Sequence, residues 1–140
     1  MIQRIQTVWL LVAAACAILT LQLPVYSGTA IPDQQSAPIF TRLTAQNNLL
    51  LLILTCGVGI ASIITVFLYK DRKTQFRICL VTLLVSLVNL VLFYRETTKF
   101  VEGNVALSAA LAIAVPVFLL LAARGIRRDE KLVKSLNRLR

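Results

Sequence analysis

The sequence predicts an all-α fold: a transmembrane four-helix bundle with both termini in the cytoplasm and a basic amphipathic helix at the C-terminus. Three observations carry this. Hydrophobic residues make up 58% of the 140 residues and charged residues only 15%, where a soluble domain is nearer half and a quarter. Four separate apolar runs are each long enough, at about 1.5 Å per helical residue, to cross a hydrocarbon core of roughly 30 Å. The charged residues cluster at the ends of those runs. The whole chain, 1–140, reads as a single membrane domain.

The first run covers about 7–23, behind a start with one positive charge, Arg4. A positive start before an apolar run also describes a signal peptide, and Ala13-Ala14-Ala15-Cys16 resembles a lipoprotein cleavage box. Ala13 stands where such a box has Leu, and the residues after Cys16 stay apolar. A retained first span is therefore expected, with Trp9 near the aromatic belt. The connection 24–48 carries Pro24, Pro32 and Pro38 and reads as a solvated loop on the far side of the membrane. Within it, 39–44 suits a short strand or an interfacial segment, with Tyr26 and Phe40 as anchors. Asn47 and Asn48 offer a cap for the second run.

The second run covers about 49–69. Gly57 and Ala61 form a small-xxx-small pair, with Gly59 beside them, a pattern that lets another helix approach closely. A basic hairpin follows, holding Lys70, Arg72, Lys73 and Arg77. The third run, about 78–94, places Cys79, Thr82, Ser86 and Asn89 at spacings of three, four and three, so they share one helix face. An amide facing lipid is costly, so this face is expected to point into the bundle, for helix packing or for a polar path. A short loop over 95–104 precedes the fourth run, about 105–123, which contains Pro116. In the tail, 124–140, Leu132, Leu136 and Leu139 form an apolar stripe among Arg127, Arg128, Lys131, Lys134 and Arg138. It reads as a basic amphipathic helix for a membrane surface or a partner.

Four spans put both termini on the side of the basic hairpin. That side holds twelve Lys and Arg, the other three. The positive-inside rule then places the hairpin and both ends in the cytoplasm. The net charge of +9 thus reads as an orientation signal and an attraction to anionic headgroups. It does not read as nucleic-acid binding, which needs a basic patch on a soluble face. The expected binding residues are Lys70, Arg72, Lys73, Arg77, Arg127, Arg128, Lys131, Lys134 and Arg138, for lipid or a protein partner.

No histidine is present, which removes His-ligated haem and His general-base catalysis. The three cysteines all fall inside apolar runs without a Cys-x-x-Cys, so small core residues are the natural reading. All six acids are assigned to loops or tail, and a proton-coupled exporter needs a carboxylate inside a span. No cofactor and no catalytic set are expected. The favoured reading is a non-enzymatic subunit, scaffold or accessory factor of a membrane complex, paired with a membrane-protein partner or a second copy. The alternative is a small channel or carrier for a neutral or anionic solute, using the Cys79–Asn89 face and the Pro116 bend.

The two ends carry a resemblance. Met1-Ile2-Gln3-Arg4-Ile5-Gln6 leading into a span, and Arg127-Arg128-Asp129-Glu130-Lys131-Leu132-Val133-Lys134-Ser135 near the end, resemble a family of uncharacterised inner-membrane proteins of the Bacteroidota, a domain of unknown function. The resemblance covers the whole chain and implies four spans in a bacterial inner membrane. It assigns no catalytic residue. Some relatives carry a label as the transcription terminator Rho; this chain has no Gly-x-x-x-x-Gly-Lys-[Ser/Thr] loop to hold ATP phosphates.

Overall fold

A computed structural model describes the backbone of residues 3–30 and 37–138, and the side chains of 5–30 and 37–135. Four helices run up and down: α1 (Gln3–Gln22), α2 (Leu49–Phe67), α3 (Arg72–Thr97) and α4 (Ala109–Arg138). All four are long and apolar enough to cross a membrane. α1 packs on α2 and α4, and α3 closes the bundle against α2 and α4.

Each helix buries one seam at alternating spacings of four and three. In α1 the seam is Gln6, Leu10, Ala13, Ala17 and Thr20; in α2 it is Leu51, Thr55, Val58, Ser62 and Thr65. In α3 it is Gln75, Cys79, Thr82, Ser86, Asn89 and Phe93, and in α4 Val115, Leu119, Ala122, Ile126 and Asp129. A 4–3 repeat is the pattern that keeps a seam facing its neighbours in a left-handed bundle. The seams mix large apolar anchors such as Leu10, Leu51, Leu119 and Ile126 with many polar groups. Among the described residues ten polar side chains are buried, while Ile53, Ile60, Phe67, Leu84, Val88 and Val91 are more than half exposed. Small and hydroxyl-bearing residues among the buried positions, with many large aliphatics facing out, suit helices whose solvent is lipid. The buried hydroxyls bond within their own helices: Thr55 to Leu51 O, Ser62 to Val58 O and Thr65 to Ala61 O, at 2.6–2.7 Å.

The expected all-α fold is corrected at one end. Stretches read as loops form a three-stranded antiparallel sheet of order β2-β1-β3, from β1 (Tyr26–Ala30), β2 (Ile39–Leu43) and β3 (Phe100–Val105). Tyr26 pairs with Leu43 on one side and Val105 on the other. Of the connection 24–48, residues 31–36, which include Pro32, lie outside the described residues. The sheet seats on a second apolar cluster of Val25, Leu43, Ala45, Leu51, Phe93 and Ala109. Tyr26 meets Phe100 edge-on at 5.2 Å. Pairing satisfies backbone groups that a bare loop would leave to solvent. Asn48 caps α2, accepting from Leu50 N, and its amide donates to Glu96 Oε1 at 3.1 Å.

Two further boundaries move. α3 begins at Arg72 and not at 78, so most of the basic hairpin is helix. Its N-cap is Asp71, which accepts from Thr74. The Thr74 hydroxyl, then its main-chain N–H, hold the Asp71 carboxyl below the usual carboxylate range. A depressed carboxylate pKa contributes stability above its unfolded value and loses it as pH falls through the folded one. The first turn of α3 is therefore expected to fray below about pH 4. The Thr74 amide resonance should follow that titration in the wild type and stay flat in Asp71→Asn. The tail is a direct continuation of α4, without a break after 123.

Candidate functional site

Two places gather the residues singled out in the sequence. The first lies inside the bundle, in its half nearer the sheet. Thr82, Ser86 and Asn89 are all buried on one face of α3. Asn89 Nδ2 donates to Thr55 Oγ1 of α2 at 3.0 Å, while Asn89 Oδ1 is buried with no partner. Around it lies a cavity of about 10 Å³ walled by Thr20, Thr55, Ser86, Asn89, Ala112 and neighbours. Cys79, one turn from Thr82, points its thiol at Leu119 O, 3.6 Å away. Asn89→Leu is expected to cost about 0.6–2 kcal/mol, the range for interhelical hydrogen bonds in membranes, read as a lower midpoint in thermal unfolding.

The small residues of α2 divide. A Cβ on Gly59 would sit 3.8 Å from Ala17 Cβ, so Gly59 belongs to the α1–α2 contact. A Cβ on Gly57 would meet nothing within 4 Å, and Ala61 is half-buried. Gly57 thus lies on the outer surface of this chain.

The second place is the opposite end, where α3 begins and α4 runs out. Arg127 lies over the Phe76 ring at 5.8 Å, a cation–π contact between the hairpin helix and the tail. Arg72 donates to the main-chain oxygen of Asp129 at 3.2 Å. These contacts join the hairpin and the tail into one basic surface. Lys70, Lys73, Arg77, Arg127, Arg128, Lys131 and Lys134 are exposed on it and Arg72 is half-buried. Lys134 pairs with Glu130 at 2.8 Å. The side chains of Leu136 and Arg138, and the whole of Leu139, lie outside what is described.

Behind this surface stands a group that the sequence reading missed. Asp129, assigned to the tail outside the spans, is 5% exposed. The Gln6 amide of α1 donates to Asp129 Oδ2, and Oδ1 has no partner. Gly125, one turn earlier, lets α1 come close: a Cβ there would stand 2.8 Å from Gln6 Cγ. Extending the 4–3 seam of the fourth span into the tail reaches Asp129, and that signal was available. On the other side of the bundle axis, Gln75 Nε2 donates to Thr65 O at 3.0 Å. Among the described residues, no three His, Cys, Asp or Glu side chains come together as metal ligands would.

No curated protein and no solved structure matches the chain. A sequence model of one family, described as "Domain of unknown function (DUF4293)", matches residues 2–139. The four apolar helices and nearly the whole length are thus spanned by one uncharacterised domain family, and the chain belongs to it.

Proposed function

We propose that the protein is a non-enzymatic, multi-pass subunit or accessory factor of a bacterial cytoplasmic membrane, with its basic end in the cytoplasm and engaged with anionic headgroups. The observation that carries the reading is the junction of Arg127 on Phe76 and Arg72 on Asp129 O. It turns two sequence-distant basic segments into a single surface at the end of a bundle of candidate spans. Twelve cationic residues on that side against three on the other support the orientation through the positive-inside rule. Headgroup attraction is worth about 1 kcal/mol per Lys or Arg near the surface and falls with salt. The outward-facing Gly57 offers a close-approach surface for a helix of a second membrane protein or a second copy.

The solute-carrier alternative draws less support. The polar face of α3 is spent on a bond to Thr55 and on a cavity of about 10 Å³, room for one water.

The test is lipid retention. The protein is reconstituted in nanodiscs of mixed phosphatidylglycerol and phosphatidylcholine, extracted gently and weighed intact with its bound lipid. Phosphatidylglycerol is expected to be retained preferentially, less so at high salt. It should fall to the bulk ratio in an Arg72→Gln/Lys73→Gln/Arg77→Gln/Arg127→Gln variant. Equal retention of both lipids by the wild type would overturn the headgroup reading.

A further inference from the structure

We infer that the interior of the bundle holds one ordered water, bound by Asn89 and by the main chain of α4 at its proline. Two independent observations meet in the same small space. Asn89 is 9% exposed, and its Oδ1 finds no donor among protein groups although its Nδ2 is bonded. Pro116 has no N–H, so the carbonyl of Ala112, four residues earlier, receives no helical bond from it. Ala112 and Asn89 both line the cavity of about 10 Å³. A proline in a membrane helix is tolerated where waters or side chains meet the carbonyl it strands.

The hydroxyls of the wall fix what the ligand must be. Thr20 donates to Ala17 O, Thr55 to Leu51 O and Ser86 to Leu83 O, each at 2.7 Å. Their protons are committed, and they face the cavity with lone pairs. Apart from the second N–H of the Asn89 amide, the polar groups the site offers are acceptors. Its ligand must donate in at least two directions and be the size of one heavy atom. Water and ammonium both meet that description. No carboxylate lines the cavity, and an uncompensated cation in a membrane interior is expensive. Charge selects water. The wall draws on all four helices, with Thr20 from α1, Thr55 from α2, Ser86 and Asn89 from α3 and Ala112 from α4. The water links α3 to α4 where the proline weakens the α4 ladder.

The test is a lipidic-mesophase crystal structure at a resolution that shows ordered waters. The expected result is one peak within hydrogen-bonding reach of both Asn89 Oδ1 and Ala112 O, lost in Ser86→Val, whose methyl groups occupy the space. No peak in the wild type would overturn the inference. So would an Asn89 amide turned so that Oδ1 meets a protein donor, or a peak that appears only in ammonium salts. A second measurement needs no variant: in hydrated bilayers, magnetisation should pass from water to the Asn89 side-chain amide, and its absence would also overturn the site.

Discussion

Replacing Gln6 with Leu is expected to destabilise the bundle more than any change on its surface. Gln6 is 6% exposed and its amide is the side-chain donor to Asp129, itself 5% exposed. Leucine fits the apolar seam in size but leaves both carboxyl oxygens of Asp129 without a partner. Among the described residues no cation lies close enough to form an ion pair with it. Stranding a buried polar group costs about 1–3 kcal/mol, and more where it is charged. The loss should appear as a fall in the midpoint of thermal or denaturant unfolding in detergent. Two companions assign the cause. Asp129→Asn retains an acceptor for the Gln6 amide and should remain near the wild type. The Gln6→Leu/Asp129→Leu pair removes both partners and should recover most of the loss, since an apolar pair of similar volume is nearly neutral. Gly125→Ala should reproduce part of the single defect, because its new methyl displaces Gln6 Cγ. An unchanged midpoint in Gln6→Leu would show that the contact contributes nothing.

The same pair marks the boundary of what the sequence discloses. The four spans are legible because hydrophobic length is a local property, and the Cys79–Asn89 face is legible because its spacing is regular. Asp129 is not, as long as the tail is read as separate from the fourth span. A dense run of charges reads as a surface helix beyond the span, yet α4 carries its seam through Ile126 to Asp129 without interruption. Gln6 is hidden for a similar reason, lying in a short polar start ahead of the apolar run. The sheet was hidden by another mechanism. Tyr-Ser-Gly-Thr-Ala and Phe-Val-Glu-Gly-Asn-Val show no clean apolar alternation, and their pairing joins residues at least seventy positions apart. Only 39–44 suits a strand by its sequence, with an interfacial segment as the alternative. Long-range pairing of short strands leaves little trace in a window of residues.

What those two strands share is a central glycine, and it sets the second large effect. Gly28 stands directly opposite Gly103 across the β1–β3 ladder. A Cβ on Gly28 would come to 2.2 Å from Glu102 O and 2.5 Å from Gly103 Cα; one on Gly103 would come to 2.7 Å from Ser27 O. The neighbours of Gly28 are backbone, so no rotamer change can relieve them; a Cβ on Gly103 would also meet the Tyr26 ring at 2.6 Å. No glycine among the described residues has positive φ, so close approach and not left-handed backbone is what requires glycine here. Gly28→Ala is expected to separate β3 from the central strand and cost about 1–3 kcal/mol or more, the range for forced overpacking. The damage should be local. The sheet rests on its own apolar cluster, apart from the one formed by Leu10, Leu119 and Ile126. Hydrogen exchange should therefore quicken in Tyr26–Ala30 and Phe100–Val105 while the amides of Leu10–Ala17 remain protected, and helical circular dichroism should barely change. Exchange in β1 and β3 that matches the wild type would refute the close-approach argument. Uniform loss of protection would instead show that the sheet clamps the helix ends, since β1 follows α1 directly and β3 bridges α3 to α4.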